Sequence, residues 1–274
     1  MKVLVVLAAM VIVGVAAPSR ADTALPGLDA LIARGELKVA MIAHDDPPMI
    51  VTDEDGKTAG FDARIAAAIA SALGVKLVIV RTESTYDGVV DQVARGDADI
   101  AVSYLSTTVE RARKVLFTRP YLTEKLTVLI NRVEAAKENR RCPTQDEFIA
   151  DLARVKVGVE DHTAFVGELL ALNPDADLVT FPTSAKVVEA LRAGDVSISF
   201  DGEIGTLQHL AEDRSLHIFA LYCELPGWHE DIAVAVNGDQ PALVPFIDLL
   251  LDRIHLSIEN GEVTFIDAPW NSAR

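Results

Sequence analysis

The chain has 274 residues, half of them apolar, which is enough for two α/β lobes with their own cores and excludes an intrinsically disordered protein. Its formal net charge is −16, from 25 Lys and Arg against 41 Asp and Glu, and so acidic a chain repels nucleic acid. Length alone leaves one large domain open.

Lys2 is followed by the run VLVVLAAMVIVGVAA and then Ser19-Arg20-Ala21, a small-x-small sequence ahead of Asp22. A positive residue, an apolar stretch of this length and such a site predict a secretory signal peptide over residues 1–21, cleaved after Ala21. The stretch is shorter than the ~20 apolar residues of a membrane span, and Arg20 closes it. Cleavage leaves 23 basic and 41 acidic residues, a net charge of −18. Cys142 and Cys223 are the only cysteines, and in an oxidising compartment an even pair is expected to bridge rather than remain as two buried thiols.

In the mature chain, Leu28 to Arg34 reads as a short helix and Leu37 to Ile42 as a strand. The sequence HDDPPM then forces a loop, because its prolines stop regular structure. DEDGKTAG is turn chemistry. Ile65, Ile69 and Leu73 have helical spacing, with Asp62 as the expected N-cap and Gly74 as the stop. Lys76 to Val80 reads as a strand buried on both faces.

Two segments repeat. Val89 to Ser103 is VVDQVARGDADIAVS and Val187 to Asp201 is VVEALRAGDVSISFD, each a helix ended by Gly, then an Asp and a short strand. Each follows another apolar strand, so a βαβ unit occurs twice. The register places Ser103 and Asp201 at equivalent strand ends. Ligands bind outside the carboxyl ends of strands in open α/β sheets, so the repeat aims two polar ends at a common cleft.

The first repeat runs into STTVERARKVLFTRPY. Thr107 with Glu110 reads as a capping box, placing a helix N-terminus among Ser106, Thr107 and Thr108. Such an end favours an anion, and Arg111 adds a planar guanidinium that can hold a carboxylate by two hydrogen bonds. An ordinary capped helix with a solvated Arg fits the motif equally well. Further on, Leu126 to Ile130 is an apolar strand, Thr144 and Glu147 cap a helix, Val155 to Val159 is a strand, and Thr163 can cap the helix of FVGELLAL. Asp201 and Gly202 open a helix through Leu210. Leu216 to Leu221 and Ile232 to Val236 read as strands, the second returning to the first half. Pro241 starts a helix carrying Phe246, Leu250, Ile254 and Ile258, ended by Gly261. GxSxG, HExxH and a Gly-rich phosphate loop are absent, and the six histidines lack metal-ligand spacing. No metal or cofactor is expected.

The order LKVAMIAHDDPPM, DGKTAGFDARIAAAIASALGVK, RGDADIAV, STTVERARKVLFTRPY, VKVGV, RAGDVSISFDG and NGEVTFIDAPW resembles the family 3 periplasmic solute-binding proteins that deliver amino acids to ABC importers. The resemblance covers nearly all of the mature chain. It implies an α/β, two-lobed periplasmic-binding-protein-like (type II) fold with two crossing hinge strands that closes on its ligand. Residues 22–124 with 238–274 would form lobe one, 125–228 lobe two, and 229–237 the returning hinge strand. It further implies that Arg111 grips an α-carboxylate, helped by the Ser106 hydroxyl and a backbone group of Tyr104. Asp201 would receive the α-ammonium, Tyr86 would lie against the ligand side chain, and Thr163 would touch the carboxylate from lobe two. Asp46 departs from the family pattern, where many members have an aromatic facing Tyr86, and His162 replaces a usual Gly. The implied partners are a small-molecule amino acid and an ABC permease in the inner membrane, for a monomer located in the periplasm.

The residues support the same clamp directly. A zwitterion needs a cation and an anion held across a cleft that excludes water, and Arg111 and Asp201 supply them from different halves. His44-Asp45-Asp46 brings carboxylates to the mouth, which favours a polar or basic ligand, although these can equally be loop acids ahead of Pro47. The rival class is a periplasmic dehydratase of the cyclohexadienyl or arogenate type, which resembles the same fold. There Glu203 would be the candidate general acid, against its plain reading as a first-turn acid. A ligand-presenting signalling partner is a third class.

Overall fold

The structure is a computed structural model that describes residues 27–137, 139, 141–259 and 262–266. The expected signal peptide and the chain beyond Ile266 lie outside the described residues.

Helix α1 (Leu28–Arg34) leads into β1 (Glu36–Ala40), and the two-residue strands β2 (Val51–Thr52) and β3 (Thr58–Ala59) form a ribbon in the loop that follows. In α2 (Phe61–Leu73) the apolar residues at helical spacing are buried, and Gly74 ends it in a left-handed conformation. Asp62 is not its cap. Gly60 occupies that position, and Asp62 sits fully buried in the first turn, accepting the Tyr104 N–H at 2.6 Å and the Tyr121 hydroxyl at 2.8 Å. Strand β4 (Lys76–Val80) is only half-buried because it forms the sheet edge, which corrects the expectation of two covered faces. Helix α3 (Tyr86–Ala94) is capped by Thr85, and β5 (Ile100–Ala101) follows. The cap of α4 (Val109–Ala112) is Thr108, which accepts the Arg111 N–H at 3.2 Å. Thr107, the expected cap, instead donates its N–H to the Asp231 carbonyl.

The apolar run at Leu126 belongs to the 16-residue strand β6 (Leu116–Asn131). Next come α5 (Arg132–Lys137) and α6 (Gln145–Asp151), the latter with the expected capping box of Thr144 and Glu147. Strand β7 (Val157–Glu160), α7 (Ala164–Leu172), β8 (Leu178–Phe181), α8 (Ser184–Ala193), β9 (Ile198–Gly202) and α9 (Glu203–Glu212) complete the second repeat. Leu216 to Leu221 is not one strand. It divides into α10 (Leu216–Phe219) and the start of the 17-residue β10 (Ala220–Val236), whose far end is the predicted Ile232–Val236 strand. After α11 (Leu243–Leu251), the expected continuation through Ile254 and Ile258 is replaced by a hairpin of β11 (His255–Glu259) and β12 (Glu262–Ile266).

Eight strands form one mixed sheet in the order β4-β1-β5-β10-β6-β9-β7-β8. At one end β1 runs parallel to β4 and β5, and at the other β7 runs parallel to β8 and β9. The two trios have the same internal order, so the sequence repeat is a structural one. Strands β6 and β10, antiparallel to each other, run through the middle and join the trios. One core gathers residues from Leu31 to Leu122 with Ile232 to Leu256, reaching across to Ile204 of α9. Two others, built from Leu126 to Leu225, fill the second half.

Cys142 is bonded to Cys223 with their Cα atoms 5.3 Å apart, closing a loop over a sequence separation of 81. In the chain-entropy description a loop of that size stabilises the fold by about 4 to 5 kcal/mol. The unreduced, denatured protein is therefore expected to titrate no free thiol, and reduction to lower its melting temperature. Two titrating thiols would contradict the bridge.

Candidate ligand site

Each trio ends its strands toward the same space, and a narrow cavity of about 50 Å³ lies there. All seven residues expected to contact a ligand line it: Asp46, Tyr86, Tyr104, Ser106 and Arg111 from the first half, Thr163 and Asp201 from the second. Sequence reasoning did not identify Glu160, Ser184, Gly205 or Glu230, which line it as well.

Arg111 is one turn into α4 and only 4% exposed. Its Nε donates to Asp87 at 3.0 Å and its Nη1 to the Ser106 carbonyl at 3.0 Å, so the guanidinium plane is fixed before any ligand arrives. The Ser106 hydroxyl bonds the Glu230 carboxyl. Tyr86 donates its hydroxyl to Asp46 at 2.7 Å, and His44 meets the Tyr86 ring edge-on, with centroids 6.4 Å apart. Asp46 therefore takes up the tyrosine's polar tip where the family pattern has a second ring. Asp45 turns away from the cavity, pairing with Arg81 at 2.8 Å and accepting from Thr52. Of the two loop acids only Asp46 lines this cavity, while both Asp45 and Asp46 line the wider pocket that adjoins it.

Tyr104 lines the cavity, but its backbone N–H is committed to Asp62, and its hydroxyl bonds Glu124. Its φ of 48° shows the sharp turn that this requires. Thr163 stands at the N-cap of α7, with its hydroxyl donating to the Glu160 carbonyl rather than to the helix. His162 adopts the left-handed φ of 60° that its position demands, with no glycine there.

The equivalence of Ser103 and Asp201 holds, since Ile100 and Ile198 pair with Val39 and Val157 in matching register. Their roles differ. Ser103 is buried under the sheet end and accepts the Ile42 N–H at 2.9 Å, whereas Asp201 faces the cavity. Asp201 accepts the Gly202 N–H at 2.8 Å, and its other oxygen lies where Gly205 leaves room: a Cβ at 205 would stand 2.6 Å from it. Glu203 is buried rather than exposed, 3.9 Å from Lys125, and is not among the cavity-lining residues. Glu124, from β6, accepts the Ile204 N–H at the start of α9.

One guanidinium and four carboxyls line this cavity among the described residues. Four dehydrated carboxyls at close quarters resist simultaneous ionisation. Burial, then the Asp46 charge, lifts Glu160 to about 7. Burial, then Glu160, holds Asp201 well above the usual carboxyl range. Burial raises Asp46 against the opposing Tyr86 hydrogen bond, and burial with Glu124 raises Glu230. These carboxyls therefore favour holding protons near neutral pH, and a ligand bearing positive charge can take the protons' place. The only signal for Glu160 was an acid ending the apolar run VKVGV, at a strand's carboxyl end. Glu230 carried none.

The description "Bacterial extracellular solute-binding proteins, family 3" matches residues 37–272 of the chain. A cyclohexadienyl dehydratase of Pseudomonas aeruginosa is 36% identical over 110 residues, 40% of each chain, so the chain spans less than half the length of that relative. The arginine-binding periplasmic protein of Mannheimia haemolytica is 23% identical over 231 residues, covering 82% of this chain and 86% of that one. Among solved structures, an ancestral amino-acid-binding protein described as a precursor of cyclohexadienyl dehydratase superposes with a TM-score of 0.66 at 28% identity, over 83% of this chain and 92% of that one. A mutant of the arginine-binding protein of T. maritima does so with 0.64 at 25%, over 82% and 92%. The two-lobed α/β architecture of the periplasmic binding proteins is thus the fold of this chain.

Proposed function

Because the chain belongs to the family 3 bacterial extracellular solute-binding proteins, we propose that it is the exported binding component of an ABC importer and takes an amino acid, polar or basic, between lobes that close on it. The observation that carries this reading is the pairing, in one cavity, of a buried Arg111 from the first half with Asp201 from the second. Neither half alone satisfies a zwitterion, so the ligand favours the closed arrangement. The proposed lobes, 22–124 with 238–274 and 125–228 as expected from the sequence, would be joined through β6 and the returning segment 229–237. Micromolar binding corresponds to about 8 kcal/mol, within reach of a few charge-assisted hydrogen bonds in a dry cleft.

The acidic lining supports a cationic side chain over an anionic one, since Arg111 is the one described cation of the lining and a second ligand carboxylate would meet only further carboxyls. A thermal-shift screen of the proteinogenic amino acids tests this, because a ligand at a hundredfold its dissociation constant adds about 2.7 kcal/mol of stability. Stabilisation led by arginine or lysine supports the reading, and stabilisation led by glutamate overturns it. Export with cleavage after Ala21 predicts a secreted protein whose intact mass begins at Asp22; a mass retaining residues 1–21 would make the segment an anchor.

A second reading, a dehydratase, is favoured by the similarity to the Pseudomonas enzyme and by carboxyls that hold protons near neutral pH. Glu203, the acid the sequence offers for that chemistry, is buried but is not among the residues lining the cavity. Incubation with arogenate or prephenate and ultraviolet detection of an aromatic product decides between the two.

A further inference from the structure

The cavity shares a wall with a second, wider pocket of about 310 Å³, and the shared residues are Asp46, Glu160, Ser184 and Gly205. These four form a neck. Arg111 lies on the closed side of it, and His209 and Glu212 lie on the open side. At the neck itself two carboxyl residues from different halves line the passage, and the Asp46 charge acts on Glu160. Asp46 comes from the loop after β1, and Glu160 from the last position of β7.

Both are held in place by groups other than cations. Glu160 accepts the Ser184 N–H at 3.0 Å, at the first turn of α8, and Asp46 accepts the Tyr86 hydroxyl. Gly205 contributes no side chain to obstruct the passage. No Lys or Arg is among the residues shared by the two pockets. Two carboxyls in a narrow, partly dehydrated passage resist ionising together unless a positive charge joins them; His44 acts on Asp46 from the open side, and no described Lys or Arg lines either pocket beside Glu160 at the neck. An amino acid whose α-carboxylate rests on Arg111 and whose α-ammonium meets Asp201 extends its side chain from the closed end toward this neck.

We infer that Glu160, facing Asp46 across the neck, is the specificity-determining residue of the site, gripping the distal ammonium or guanidinium of a basic amino acid. The inference rests on the amino-acid-binding reading above and adds to it the residue that selects the side chain. Asp46 alone, on one half, would tolerate a neutral polar tip. The pair makes the second charge a condition of tight binding and of closure, because one carboxylate arrives with each half.

Calorimetric titration of wild type and Glu160→Gln with two matched pairs tests it: arginine against citrulline, and lysine against norleucine. The wild type is expected to bind at least one cation about a hundredfold more tightly than its neutral counterpart. Glu160→Gln, whose amide oxygen can still accept from Ser184, is expected to weaken that cation by at least about thirtyfold while changing the neutral ligand less than threefold. Asp46→Asn provides the same comparison if the first variant folds poorly. A cation-to-neutral ratio unchanged in both variants overturns the assignment but leaves amino-acid binding standing. A wild type that binds the neutral ligands as tightly as the cations does the same. Failure of the wild type to bind any of the four overturns the reading on which the assignment rests, and the assignment with it.

Discussion

Arg111→Ala is expected to abolish amino-acid binding while the protein remains folded. The ligand carboxylate would lose both hydrogen bonds of a guanidinium already oriented by Asp87 and the Ser106 carbonyl, and would sit unpaired in a dehydrated cavity. Removing one partner of such a pair costs several kcal/mol, at least about a thousandfold in affinity. The fold is affected less, because the Asp87 side chain is 65% exposed and regains water when its partner is deleted. Asp201→Ala should behave in the same way from the other lobe, leaving the α-ammonium without its acceptor. Calorimetry alongside thermal denaturation checks both, and wild-type affinity in either variant contradicts the clamp.

The ligand-free protein is expected to be more stable at pH 5 than at pH 8, whereas affinity for a cationic amino acid should run the opposite way. Burial holds Asp62, Glu124 and Glu160 at about 7, against ordinary values of 3.8, 4.5 and 4.5. A carboxyl whose folded pKa is raised binds its proton more tightly in the folded state. Its contribution is therefore fully present below about pH 4 and is lost as pH rises through 7. Allowing for coupling among these groups, the loss is on the order of a few kcal/mol, or roughly 5 to 10 °C in melting temperature. Cation binding requires Glu160 and its neighbours ionised, so protons leave on binding, and the binding enthalpy should vary with the buffer's own heat of ionisation. Melting temperature and affinity that are both flat between pH 5 and 8 contradict this electrostatic picture.

The repeat was legible because helix, glycine stop and strand recur at one spacing, and the parallel trios follow from it. That Arg111 and Asp201 would face one cavity was legible because each follows the short closing strand of a repeat. Long-range pairing was not. Asp62 has the sequence signature of a cap, yet its partners Tyr104 and Tyr121 lie 42 and 59 residues away, and only the folded chain brings them together. Ile254 and Ile258 fit a helical spacing, but Ile258 also fits the alternation of a strand, and the hairpin pairing decided between them. Leu216 to Leu221 is a short apolar run of the kind periodicity cannot assign. Thr107 and Thr108 are both sound caps, and the Thr107 N–H was taken by the crossing strand β10. Glu160 and Glu230 were hidden in a chain rich in acids, where nothing local separates a cavity carboxyl from a solvated one.

The most direct measurement of the central claim is a crystal structure of the protein grown with the amino acid that stabilises it most in the thermal screen. The expected result is a ligand in the closed cavity, its carboxylate on Arg111 and Ser106, its α-ammonium on Asp201, and its side-chain cation between Asp46 and Glu160. A ligand bound in this cavity with its carboxylate away from Arg111, or bound elsewhere on the molecule, contradicts it.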